Sequence, residues 1–211
     1  NKGELKKLFE ATEPGSRDRL LVMVPALLGL RIGEVLGLAW PAIDFNAMKL
    51  HVIWALGDSD KGQEPSLQSP KTKHSRRSLD LPQELAHELK LWKLRCPTSE
   101  HDLVFPNQIG KPWSRKMAGK TLDKVIEAAE LQKRLTLHGL RHTFASLLLA
   151  DGIPAPAVAH HLGHKDCSVT LKVYAHFIRQ ENRIFIIWRR AYWPRGRLKN
   201  VSPMSPSRRF I

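Results

Sequence analysis

Cysteine is nearly missing from this chain: Cys96 and Cys167 are the only two in 211 residues. Two thiols cannot make a disulfide framework, and they fit a reducing, cytoplasmic setting. Long apolar runs are missing as well. Residues 20–30 are apolar, but the run is short and contains Pro25, so it reads as a buried helix and not as a membrane span. The opening residues Asn1-Lys2-Gly3-Glu4 are polar and lack the apolar stretch of a signal peptide. The chain does not begin with methionine, which predicts a piece of a longer protein. Acidic residues are few, 20 against 34 Lys+Arg, for a net charge of +14. That imbalance points to a polyanionic partner, either nucleic acid or an anionic membrane surface. Tyrosine is scarce too, with only Tyr174 and Tyr192. No internal repeat is visible.

What is present suffices for one domain with a tail. The apolar fraction of 42% can supply a core. The basic excess is uneven. From Arg183 onward there are eight Lys and Arg and no acid, leaving a body that is only modestly basic. The expected division is residues 1–182 as the functional domain and 183–211 as a basic tail. The tail is either a disordered appendage or a DNA-contacting arm. Within it, residues 184–188 are apolar enough to pack on a neighbouring copy or to fold back in cis.

Periodicity predicts an α+β fold, mostly helical with one small antiparallel sheet. Helices are expected over 3–11, 17–29 and 32–38. Residues 43–46 and 49–54 alternate as a strand or hairpin, 57–70 read as a loop, and 76–81 as the return strand. Pro82 opens a helix over 83–95 spaced through Leu85, Leu89 and Leu94. Residues 103–105 form an extended piece. A helix over 114–130 points Met117, Leu122, Val125 and Ile126 inward. Further helices are expected over 137–150, 155–162 and 168–177, and residues 193–211 look irregular.

The chemistry lies in a spaced set of cations and one phenol. His138-Gly139-Leu140-Arg141-His142 puts His138 and Arg141 three apart, on one face of a helix. Leu162-Gly163-His164 and Val173-Tyr174-Ala175-His176 follow. A phenol becomes a useful nucleophile where cations stabilise charge around the atom it attacks. Upstream, Arg31 lies among apolar residues and needs a partner, which Glu34 can supply while the fork faces a phosphate. Lys71, in Ser69-Pro70-Lys71-Thr72-Lys73, precedes the return strand, where a lysine at a hairpin tip can swing into a groove.

These residues resemble the catalytic domain of the tyrosine recombinases, the phage and transposon integrase family. Gly29-Leu30-Arg31-Ile32-Gly33-Glu34 is similar to the first-arginine box, and Pro70-Lys71-Thr72 with Ser75-Arg76-Arg77 to the hairpin lysine. The three later segments are similar to the remaining boxes, so the resemblance covers roughly residues 3–180. It implies a site-specific recombinase, or integrase, that cleaves and rejoins double-stranded DNA through a 3′-phosphotyrosyl link. It also implies no cofactor, no metal, and self-association as a tetramer on DNA. Arg31 and Arg141 would clamp the scissile phosphate, and His164 would hydrogen-bond it. Tyr174 would attack phosphorus, Lys71 would protonate the departing 5′-oxygen, and His138 would act as general base. Glu34 would stand behind the arginines, while Lys73, Arg76, Arg77 and His161 would meet DNA. By the same resemblance, the helical N-terminal core-binding domain that usually closes the clamp is expected to lie outside this stretch.

Each assignment has a plainer rival. The Arg31–Glu34 pair could be a surface ion pair. Lys73 competes with Lys71, and His142 reads as structural. His160, His161, His164 and His176 suggest zinc, but no Cys pair or carboxylate of ligand spacing accompanies them. Tyr192 lies beyond any matching motif and reads as packing. Two other activities share these residues: relaxation of DNA in the manner of a type IB topoisomerase, and DNA binding by an inactive remnant.

Overall fold

The computed structural model describes residues 2–57, 66–68, 76–132 and 135–164. The expected helix over 168–177 and the tail 183–211 lie outside the described residues.

Helix α2 (Arg17–Leu28) is the axis of the core. Leu20, Leu21, Val22, Val24 and Leu28 are almost wholly buried, so this helix is apolar on every side, as its sequence demands. The Ser16 side chain caps its start by accepting from the Arg19 N–H. Around it pack α1 (Lys2–Glu10), α4 (Gln83–Lys93), α5 (Arg115–Ala128) and α6 (Leu137–Ala150). The short α3 (Ile32–Leu36) follows α2 directly, and α7 (Ala155–Leu162) packs on α6. A single 3-10 turn, Trp40–Ala42, leads from α3 into the sheet.

The sheet is antiparallel with order β1-β2-β5, formed by Ile43–Asp44, Lys49–Val52 and Arg77–Asp80. Leu50 stands opposite both Ile43 and Leu79, so one face is apolar and closes on the core. The same register sets Val52 opposite Arg77. The fold is therefore α+β, mostly helical with a small antiparallel sheet, as expected.

Several details depart from the sequence expectations. The stretch 57–70 is not all loop: β4 (Leu67–Gln68) lies within it and pairs with β3 (Ala55–Leu56) as a two-stranded ribbon. Strand β2 ends at Val52, leaving Ile53 and Trp54 exposed beyond it. Met117 points outward because the inward stripe of α5 runs through Ala118, Leu122, Val125 and Ile126, one residue out of phase with it. Leu94 lies past the end of α4 and is 84% exposed, while Trp92 fills the last turn by donating its indole N–H to the Val104 carbonyl. Residues 103–105 are all buried, but only Leu103 is extended, bridged to Ala39, and the next two residues bend.

Candidate active site

Two helix C-termini build the site. Helices α2 and α7 each end at a glycine in the left-handed region, Gly29 (φ 65°) and Gly163 (φ 67°). Only glycine adopts that conformation without strain, and it turns the chain sharply at the helix end. The last carbonyls of a helix lack intrahelical partners and carry its negative partial charge. Here these and the cap carbonyls are met by two guanidiniums and one imidazole. Arg141 Nη1 donates to the Gly29 carbonyl (2.6 Å) and Nη2 to the Leu162 carbonyl (2.9 Å). Arg31 Nη2 donates to the Gly163 carbonyl (2.8 Å). His161 Nε2 lies 3.1 Å from the Leu28 carbonyl.

Glu34 is the second organising element. It is the third residue of α3, with 4% of its side chain exposed. Its Oε2 accepts from the Arg31 backbone N–H (2.8 Å) and its Oε1 from Arg31 Nη1 (2.9 Å), so one carboxylate starts the helix and turns the arginine. Arg77 meets the same carboxylate with a two-pronged contact, Nη1 to Oε1 and Nη2 to Oε2, both 3.0 Å. Arg141 Nη1 lies 3.9 Å from Oε2. Burial pushes the Glu34 carboxyl up. The hydrogen bonds and charge of Arg77, then those of Arg31, outweigh it and hold the group below the ordinary carboxylate value.

The guanidiniums shape the rest of the site by repulsion. Burial, then repulsion from Arg31, pulls Arg141 well below the usual guanidinium range. Its residue is 3% exposed, whereas the Arg31 side chain remains 38% exposed. His164 follows Gly163 and is pushed down to about 4, by burial first and then by Arg141, Arg31 and Arg77. His138 enters α6 just after the Thr136 cap, which accepts from the Gly139 N–H. Burial and then His142 lower its pKa, and the two rings meet edge-on with centroids 4.5 Å apart. A neutral imidazole there can accept a proton. Among the described residues no three His, Cys, Asp or Glu side chains form a group that could hold a metal ion. Chemically, the arrangement suits an anion: three guanidiniums are fixed around one buried carboxylate, and that of Arg31 stays partly exposed.

The structure thus brings together Arg31, Glu34, Arg141, His138 and His164. Lys71, Lys73 and Tyr174 lie outside the described residues. Arg76 is exposed at the start of β5. Two residues expected on DNA face inward instead. The Arg77 side chain is 6% exposed and held by Glu34, and its Nε donates to the His161 carbonyl (2.7 Å). The His161 ring packs on Phe144 and reaches the Leu28 carbonyl. For Arg77 the signal was in the sequence: strand alternation places it on the inner face with Leu79. The carbonyl acceptors at Gly29, Leu162 and Gly163 carry no side-chain signature, so only the cap glycines hint at them.

Comparison with known proteins agrees with this geometry. The model of the phage integrase family matches residues 1–181. A tyrosine recombinase XerC-like protein of Caldanaerobacter subterraneus subsp. tengcongensis is 30% identical over 197 residues, covering 84% of this chain and 50% of its own length. The chain therefore spans about half of that relative. Among solved structures, XerA recombinase superposes with a TM-score of 0.70 at 24% identity, over 93% of this chain and 64% of that one. XerH recombinase, bound to a palindromic difH substrate in a post-cleavage complex, gives 0.66 at 24% identity, over 87% of this chain and 51% of that one. These two likenesses show the fold. The five boxes in order, the paired arginines around Glu34 and the match over residues 1–181 place the chain in the phage integrase family of tyrosine recombinases.

Proposed function

We propose that residues 1–182 form the catalytic domain of a site-specific recombinase that cleaves and rejoins double-stranded DNA through a 3′-phosphotyrosyl intermediate. One observation carries the reading. Arg31 and Arg141, from distant parts of the chain, are held beside one carboxylate and on the carbonyl ends of α2 and α7, with His164 adjoining. A scissile phosphate supplies the negative charge that this cluster lacks. The two guanidiniums then neutralise the charge that builds on its non-bridging oxygens.

In this reading the Tyr174 oxygen attacks phosphorus, the bond to the 5′-oxygen breaks, and His138 takes the phenolic proton. Lys71 gives a proton to the leaving 5′-oxygen. The strand is resealed when a 5′-hydroxyl displaces the tyrosine, so the energy of the broken bond is kept in the phosphotyrosyl link. Arg76 and Lys73 would contact the duplex backbone, and copies of the chain would assemble on DNA. The family match and the DNA complex of XerH support a DNA substrate.

The test is trapping. The chain is incubated with a pool of nicked suicide duplexes of randomised sequence and run on a denaturing gel. A covalent adduct is expected, and Tyr174→Phe removes it. An adduct that survives Tyr174→Phe assigns the nucleophile elsewhere, and no adduct with wild type rejects the enzymatic reading.

A further inference from the structure

We propose that Arg77 is a positioning residue for strand transfer: it occupies the edge of Glu34 that would otherwise capture Arg141, and it ties β5 to the end of α7. The inference rests on the function proposed above.

The geometry of one carboxylate supports it. Oε1 of Glu34 accepts from Arg31 Nη1 and Arg77 Nη1; Oε2 accepts from the Arg31 backbone N–H and Arg77 Nη2. Each oxygen is thus engaged twice. Arg141 Nη1 waits at 3.9 Å from Oε2, beyond hydrogen-bond range, because its forks are drawn to the Gly29 and Leu162 carbonyls. Without Arg77, two acceptor sites on a buried carboxylate open, and Arg141 is a cation within reach of them. An unsatisfied buried carboxylate is costly, so Arg141 would swing onto it and leave its carbonyl seats. A guanidinium neutralised by Glu34 is lost to a phosphate.

The third bond of Arg77 gives it a second task. Its Nε donates to the His161 carbonyl, in the last turn of α7, three residues before His164. From β5 it pairs with Val52 of β2 and shares the inward face with Leu79. One side chain therefore joins the sheet, α3 and the helix that leads to His164. Lysine cannot repeat this, because a single ammonium lacks the planar fork needed to span both carboxylate oxygens and a third acceptor.

The experiment measures adduct formation in single turnover on a duplex recovered from the suicide pool, for wild type, Arg77→Gln, Arg77→Lys, Glu34→Gln and the Arg77→Gln/Glu34→Gln pair. Arg77→Gln is expected to slow the rate constant about 100-fold, the scale of a misplaced catalytic group. Arg77→Lys, which keeps the charge and guards against a folding failure of the glutamine variant, is expected to recover less than about a tenth of the loss. The double variant should be no slower than the slower single one, because both act through the same contact. DNA affinity should fall only by the one phosphate contact that Arg141 gives up, with a salt slope lower by about one.

Other outcomes overturn the role. Reduced adduct amplitude at an unchanged rate constant makes Arg77 a folding residue only. A weaker, less salt-dependent complex at an unchanged rate makes it a phosphate contact. Additive losses mean that it acts independently of Glu34. An active wild type with unimpaired Arg77→Lys rejects the positioning role alone, whereas an inactive wild type rejects the function and this role with it.

Discussion

Glu34 faces three guanidiniums with almost no access to water, and its removal is the most informative single change at the residue scale. Glu34→Gln keeps the shape but leaves buried cations without a counter-charge. Loss of one partner from a buried pair costs about 3–5 kcal/mol. Urea unfolding should show a loss of that size, and DNA should restore part of it by supplying anions to the same pocket. Acid acts on the site through two groups. The Glu34 carboxyl is depressed in the fold, so its stabilisation is present above the unfolded value of 4.5 and is lost as pH falls below it. His164 is a base held neutral, at about 4 against 6.5 unfolded. Between those values the unfolded chain binds the extra proton, so stability falls as pH drops from about 6.5 toward 4. Thermal unfolding at pH 7 and pH 5 should show this decline, and His164→Asn should flatten it. A phosphate beside His164 opposes the depression, so DNA binding in the same window should take up a proton, measurable as a buffer-dependent binding heat.

At the scale of elements, the glycine ends of α2 and α7 matter more than the helices' polar surfaces. A β-carbon at Gly29 would meet Leu162 Cδ2 and Phe144 Cδ1, both at 2.6 Å, and φ there is 65°. Gly29→Ala therefore combines backbone strain with overpacking, for an expected cost of about 2–4 kcal/mol. Gly152 also has positive φ, 83°, but open space around it. Gly152→Ala should cost only the left-handed penalty of about 1–2 kcal/mol, and the difference between the two denaturation midpoints isolates the packing at the site. Element placement was largely legible in the sequence, since buried helices such as α2 announce themselves by apolar density and Pro82 marks the start of α4. The misses follow from phase. Met117 is one residue off the inward stripe of α5, and Leu94 lies one step past the last turn of α4. The β3–β4 ribbon is too short to show alternation above the turn-forming residues around it.

For the whole molecule, the net charge of +14 bears on association more than on folding. Neutralising several phosphates releases their counterions, so affinity for duplex DNA should fall at least about 100-fold between about 50 and 200 mM salt. A filter-binding series checks the slope, and a flat response would contradict a basic DNA-facing surface. No described helix is long and apolar enough to cross a membrane. The site's residue types were readable from order and spacing, because Arg31, Glu34, His138, Arg141 and His164 stand in motifs. How they meet was not readable. The resemblance put Arg77 and His161 on DNA, yet the convergence of β5, α3 and α7 turns both inward.

The seats of Arg31 and Arg141 are peptide carbonyls, and these are invisible to side-chain mutagenesis. An alanine scan through Gly29, Leu162 and Gly163 perturbs packing and backbone conformation while every acceptor stays in place. Substitution during evolution faces the same blindness: the acceptors persist as long as the two helix ends keep their turn. Reading their contribution requires a chemical edit of the main chain. An ester in place of the amide after Gly29 would weaken that acceptor and leave every side chain untouched; after Gly163 it would also delete the His164 N–H donated to the Ala159 carbonyl.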